Sequence, residues 1–383
     1  MNQICVPLLF HTVNLIERDP ETSLSVLIKY AEHIQLLRVL VDPFVLLETE
    51  TEGLSSCQHR NDQYQAEVVQ LLRASPNLTS LGLYFRSAKI SIQGVADEVI
   101  RVMERGGLRA LGIYSILVLH RDIGEWGWNV FNELPAKELF SVLVQNPKAG
   151  DSLKALDIVT TTMEEAEYDT LRGHFSSLES FTIRRSLRDY FGRLWDPDQR
   201  EKWHPKSNLT RLSLIDCLAA YAPHIPELVR HFESLKYLMV STCGSWEDVL
   251  PQPRIYGWHM EPDALCASRL LEVTHIEHMS QWEILSLGVI PTKTLILSNM
   301  QRGDFLGAIA NDRELFPHLQ TLSLVPVVQG TRVEEGSEDP YLEKKEDLTA
   351  LLILKEWTKS RGATMDHEGF VIKGDAAGLY GFA

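Results

Sequence analysis

The stretch Pro76-Asn77-Leu78-Thr79-Ser80-Leu81-Gly82-Leu83-Tyr84 reads L-x-x-L-x-L, and the phrase returns down most of the chain. Leu81 and Leu83 are two apart, so an extended strand points both to one face. Leu78, three residues earlier, is placed to seal the turn that feeds the strand. A strand this short cannot bury its face alone and needs neighbours of the same kind.

Working outward, the phrases are Ile34-Leu37-Val39, Leu108-Leu111-Ile113, Leu153-Leu156-Ile158 and Leu178-Phe181-Ile183. Then come Leu209-Leu212-Leu214, Leu235-Leu238-Val240, a weaker Thr292-Leu295-Leu297, and Leu319-Leu322-Leu324. Several intervals fall near the period of roughly 20–29 residues that marks leucine-rich repeats, and others overshoot it. The widest predicts one degenerate repeat around Leu270-Leu271-Glu272-Val273. Between phrases the apolar spacing is helical, as in Ala66 to Arg73, Ala96 to Glu104 and Asp304 to Asn311. Pro76, Pro317, Asn77 and Asn208 sit where such helices stop and turns open. Each unit therefore reads helix, turn, short strand, and a helical crossover delivers the next strand parallel to the last. The predicted fold is α/β, an irregular leucine-rich-repeat solenoid with a curved parallel sheet inside and helices outside.

The predicted organisation is an N-terminal cap over 1–20 and a repeat array over 21–330. Insertions fall near 43–65 and 115–134, an acidic loop covers 331–347, and a capping helix with a loose tail fills 348–383. Thr22 is a candidate helix cap, and Glu48 to Gln65 reads as a solvated acidic loop. Trp126 and Trp128 are read as anchors of the second insertion.

The 383 residues are 44% hydrophobic and 23% charged, a globular balance. The net charge of −15 argues against nucleic acid or an anionic membrane as partner, since both reward a positive surface. Five cysteines, an odd number without metal-clip spacing, fit reduced thiols in a cytoplasmic or nuclear protein. The opening Met1 to Phe10 has no basic leader, and no stretch is long and apolar enough to span a bilayer.

The segment Val6-Pro7-Leu8-Leu9-Phe10-His11-Thr12-Val13-Asn14-Leu15 carries a family likeness, together with the irregular repeats and the helix ending Lys359-Ser360-Arg361-Gly362. It resembles the fungal F-box/leucine-rich-repeat-like proteins just after their F-box, where P-L-L-F leads into a first β element. The resemblance implies a substrate-recognition subunit of a cullin-type ubiquitin ligase, reached through a Skp-type adaptor. The leucine-proline opening and adaptor-binding helices of the F-box have no counterpart before Ile4, which argues against adaptor docking. A ligase-independent scaffold of the same fold stays open, as does an enzyme whose pocket the insertions build.

Sequence motifs for chemistry are weak. His275-Ile276-Glu277-His278 spaces two histidines to share a helix face, but lacks the H-E-x-x-H order and a third ligand. Surface or capping histidines are the favoured reading, and Cys243 reads as a structural thiol after a strand. No phosphate loop occurs, so no catalytic residue, metal or cofactor is expected. Binding has the better argument. Residues flanking each buried pair face the other way, and these include Arg38, Tyr84, Tyr114, Asp157, Arg184, Arg211, Tyr237 and Ser323. Tyrosine and arginine on one surface match the make-up of interface anchors, so an unidentified protein is the expected partner.

Overall fold

Several strands begin with a shared carbonyl. Gln35 C=O accepts from the N–H groups of both Thr79 and Ser80, and Thr79 C=O from those of Arg109 and Ala110. Arg109, Lys154, Thr210 and Lys236 repeat the arrangement. The ladder is thus set one residue before the L-x-L pair, and this fixes the register of everything after it.

The computed structural model describes residues 9–16, 23–44, 54–85, 90–115, 138–139, 141, 146, 151–159, 177–184, 208–215, 225–226, 229, 232–241, 270–277, 279, 284–285, 287–298, 302–312, 314–325 and 352–366. The chain divides into two units, Met1–Leu209 and Thr210–Ala383.

The first unit holds six strands: β1 Thr12–Leu15, β2 Leu36–Leu40, β3 Ser80–Phe85, β4 Ala110–Ser115, β5 Ala155–Val159 and β6 Ser180–Arg184. They pair in parallel and in chain order, with Leu37, Leu81, Leu111, Leu156 and Phe181 in one register row. That row and its partner, Val39 through Ile183, are buried. The first leucine of each phrase is buried too, as the turn-sealing role predicts: Ile34, Leu78, Leu108, Leu153 and Leu178 are at most 2% exposed. β1 extends the array one strand beyond the first full phrase, with Val13 against Leu37 and Leu15 against Val39.

Three described helices fill crossovers here: α1 Ser25–Lys29, α2 Leu54–Ala74 and α3 Gln93–Glu104. In α3, Val95, Ala96, Val99, Ile100, Val102 and Met103 are buried while Gln93, Asp97, Arg101 and Glu104 face water, the expected 3.6-residue alternation. Glu98 breaks it. Its carboxylate is 1% exposed and takes Arg73 of α2 at 2.8 Å, Arg101 at 3.0 Å and Arg105 at 3.3 Å.

Helix α2 corrects the sequence reading, because the supposed loop Glu48 to Gln65 is helical from Leu54 onward. The helix hides polar groups where a pattern search expects apolar ones. Buried Asn61 pairs with the backbone of Phe44, taking its N–H at 3.1 Å and donating to its C=O at 2.7 Å. Buried Gln65 donates to Ser91 C=O at 3.1 Å. Thr22, the expected cap of α1, lies outside the described residues. The N–H of Leu24, at that helix start, is instead taken by Glu67 of α2 at 2.7 Å. Likewise Glu138 accepts from Ser91 Oγ and from the N–H of Ile92, where α3 begins.

The second unit holds β7 Arg211–Ile215, β8 Tyr237–Ser241, β9 Leu271–Glu277, β10 Thr292–Ser298, β11 Thr321–Val325 and β12 Thr364–Asp366, again parallel and in chain order. β9 is the degenerate repeat. Its register pairs Leu238 with Thr274 and Val240 with Ile276, so the phrase runs Leu271-Thr274-Ile276. Thr274 occupies a leucine position. It is fully buried, and its hydroxyl has no partner among the described residues.

Helix α4 Arg302–Asn311 crosses from β10 to β11. Helix α5, residues 352–360, precedes β12, a strand within the 348–383 segment that the sequence reading gave to a capping helix and a loose tail. Trp357 of α5 meets Phe305 of α4 edge-on at 5.8 Å, and Arg361 lies over Trp357 at 5.2 Å. The 115–134 insertion beyond Ser115, with Trp126 and Trp128, lies outside the described residues. So do the acidic loop 331–347, Cys243, and 367–383.

Candidate functional site

Alternation along a strand sends every second side chain away from the leucine core. In the first unit the open face carries the row Asn14, Arg38, Gly82, Gly112, Asp157, Thr182, fixed by strand register. The neighbouring row holds Leu40, Tyr84 and Tyr114. Tyr84 and Tyr114 stack with ring centres 4.6 Å apart, and the Tyr114 hydroxyl donates to Asp157 at 3.0 Å.

The glycines make this possible. A Cβ on Gly112 would stand 2.5 Å from the Tyr114 ring, and one on Gly82 would stand 3.2 Å from Tyr84 and 3.5 Å from the Arg38 stem. The rings therefore fold back along their own strands and lie in the space that two missing side chains leave. Gly-x-Tyr repeats in LGLY and LGIY, a signal present in the sequence but not used.

In the second unit the open face is filled rather than vacated. Its rows run Arg211, Tyr237, Val273, Thr294, Thr321, Thr364 and then Ser213, Met239, His275, Ile296, Ser323, Asp366. The Arg211 guanidinium lies 4.1 Å from the centre of the Tyr237 ring, a cation–π contact. Tyr237 Oη is 3.3 Å from His275 Nδ1, and His275 Nε2 is 2.6 Å from Ser298 Oγ. Burial holds the imidazole below its ordinary range; Glu277 opposes this and Arg211 adds to it. With a hydroxyl on each ring nitrogen, the imidazole is anchored in the sheet face, where burial favours its neutral form. Ser298 is itself only 7% exposed, so the contact orients the ring rather than presenting a nucleophile.

Several sequence expectations resolve here. Arg38, Tyr84, Tyr114 and Asp157 come together in two adjacent rows of the first unit. Arg211 and Tyr237 meet in the second. Arg184 lies in β6, and its side chain is outside the described residues. His275 sits on a strand, which corrects the helix-face reading of the His275–His278 pair; His278 is outside the described residues. Sequence reasoning singled out His275 and Glu277 without placing them on the open face, because β9 lacks the leucine that would have set their register, and it passed over Ser298 at the end of β10. Among the described residues no three His, Cys, Asp or Glu side chains gather as metal ligands, and no helix is long and apolar enough to cross a membrane.

Parallel strands in chain order, helical crossovers and stacked L-x-x-L-x-L rows define the class: each unit is an irregular leucine-rich-repeat array of the α/β solenoid type. No family model matches the chain, and no curated protein matches it. Among solved structures it is similar to the crystal structure of the leucine-rich repeat-containing protein LegL7 from Legionella pneumophila. That likeness has 11% identity and a TM-score of 0.41 over 91% of this chain and 97% of that one. The register carries the class without it.

Proposed function

We propose that the protein is a non-catalytic, protein-binding array that docks its partner on the open strand faces. Arg38, Tyr84, Tyr114, Asp157, Arg184, Arg211 and Tyr237 supply the contacts. The observation that carries this is the tyrosine pair laid over Gly82 and Gly112 between a guanidinium and a carboxylate. Stacked rings of that kind offer rigid area at low entropic cost, as anchors of protein interfaces do. A net charge of −15 disfavours nucleic acid or an anionic membrane as the alternative occupant.

The finer reading follows the F-box-like resemblance: a substrate-recognition subunit of a cullin-type ubiquitin ligase, acting in the cytoplasm or nucleus without a cofactor. Its alternative is a ligase-independent scaffold of the same fold. Quantitative affinity capture tests both, comparing the native chain with Tyr84→Ala/Tyr114→Ala and with Arg211→Ala. A partner bound by the native chain and lost from either folded variant supports the binding face. Capture that ignores both variants overturns it. Co-capture of a Skp-type adaptor selects the receptor, and a partner captured without adaptor selects the scaffold.

A further inference from the structure

On the helix side of the first unit, one buried carboxylate holds three guanidinium groups. Arg73 Nε and Arg101 Nη1 share one oxygen of Glu98, at 2.8 and 3.0 Å, and Arg105 Nη2 reaches the other at 3.3 Å. A buried carboxylate needs one opposite charge and hydrogen bonds to its oxygens. One arginine supplies the charge, so two positive charges stand in excess. The other acids of α2 and α3 do not offset them. Asp62 takes the Gln58 amide, Glu67 the Leu24 N–H and Asp97 the Gln93 amide, while Glu104 pairs with none of the three arginines. Among the described residues the three guanidiniums have no hydrogen-bond or ion-pair partner besides Glu98.

The ends of the two helices do not require these cations either. Leu71 C=O takes the Ser75 hydroxyl at 2.7 Å, Leu72 C=O the Ser75 N–H at 3.3 Å, and Met103 C=O the Gly106 N–H at 2.8 Å. Two helix dipoles, about half a charge each, still leave the spot positive. Glu98 is 1% exposed, whereas the side chains of Arg73, Arg101 and Arg105 are 56, 56 and 42% exposed. The carboxylate therefore gathers three surface guanidiniums around one point, and each keeps most of its N–H donors. Arg73 bonds Glu98 through Nε, which leaves both of its Nη groups as a fork.

We propose that Arg73, Arg101 and Arg105 form a binding site for a phosphomonoester dianion. Such a group carries about two negative charges at neutral pH and three strong acceptor oxygens, which match two surplus charges and three donor heads. A carboxylate brings one charge and two oxygens and satisfies the site less fully. The group arrives on a phosphorylated serine or threonine of a polypeptide or as free phosphate. The site lies on helices, so it stands apart from the strand-face docking surface.

The test uses the full chain and a fluorescent peptide with one phosphoserine in a Gly/Ser background, read by anisotropy. Glutamate and plain serine at that position are the comparisons. The phosphoserine peptide is expected to bind about tenfold more tightly than the glutamate peptide, the scale of one further charge-assisted hydrogen bond. Arg73→Gln, Arg101→Gln and Arg105→Gln each leave Glu98 two arginines, so circular dichroism and melting are expected to stay native. Each is expected to lose about tenfold in phosphopeptide affinity. Lys236→Gln, which removes an exposed cation of the second unit, is expected to change nothing. Competition then reads the source. Displacement by inorganic phosphate at a concentration near the peptide's assigns free phosphate, and displacement only by a large excess assigns a phosphorylated polypeptide. No phosphopeptide binding up to about 1 mM, equal binding of the glutamate peptide, or native affinity in the folded arginine variants overturns the proposal. So does a Lys236→Gln loss as large as theirs. Affinity capture with the open-face variants reads the protein-binding proposal separately, so either can fail without the other.

Discussion

The two units place the same leucine scaffold under different open faces. In the first, two strands give up their side chains at Gly82 and Gly112, and neighbouring rings settle into the space. In the second, Met239, His275 and Ile296 occupy the corresponding row, and the aromatic ring of Tyr237 is held between Arg211 and His275. One face is a low floor with opposite charges at its sides. The other is a hydrogen-bonded chain sunk into the sheet, with Ser213, Ser241 and Ser298 buried around it. The leucine positions set where strands lie, and the positions between them are left to vary. Identical register therefore permits unlike surfaces.

The largest test strikes what the units share. Leu81→Asp and Leu212→Asp bury an unpaired charge at sites with at most 1% exposure, and each is expected to cost about 4 kcal/mol or more in chemical denaturation. Next comes a feature described only in the first unit. Removing the buried Glu98 carboxylate with Glu98→Ala leaves three arginines that can still reach water, so a loss of about 2 kcal/mol is expected by the same method. The described ion pair of the second unit, Lys236–Glu272, is more than half exposed on both sides, and Glu272→Ala should barely register. The second unit has its own soft spot. Thr274→Val swaps an unpartnered buried hydroxyl for a methyl group and should raise stability by about 1 kcal/mol in a melting experiment.

A smaller effect separates the faces by pH. Because His275 binds protons less readily folded than at its ordinary 6.5, the unfolded chain gains protons first as pH falls. Stability from this site is full when the imidazole is neutral and is lost as pH drops below 6.5 toward the lowered folded value. Thermal melting from about pH 7.5 to about pH 5.5 should show native chain losing more stability than His275→Gln. Equal losses would detach the histidine from the buried network. Smallest of all, Arg211→Ala should change stability by no more than about 0.5 kcal/mol, because that guanidinium is exposed. If it matched Leu212→Asp, the assignment of faces would be wrong.

Much of the array was legible because burial and register share one code. Wherever two apolar residues stand two apart after a third, a strand follows, and the positions beside them were placed on the open face by alternation alone. Legibility failed where polar groups do apolar work. Asn61 and Gln65 hide in α2 by serving backbone groups, so the helix read as a loop. Thr274 takes a leucine site, so β9 was placed without its register and His275 was read as a surface or capping histidine rather than as part of the open face. The open face was legible as a set of residues but not as an arrangement. Glycine gives no side-chain signal, yet it decides how Tyr84 and Tyr114 lie.

Glu67 and Glu138 complete helix beginnings that belong to earlier repeats. Those two repeats are thus finished by material made later in the chain. A shortened version ending between repeats would expose amide groups that the missing part was meant to cover, so deletion series should lose cooperativity one repeat earlier than the cut. During synthesis the emerging array would stay provisional at its growing edge, closing behind itself as each new helix arrives.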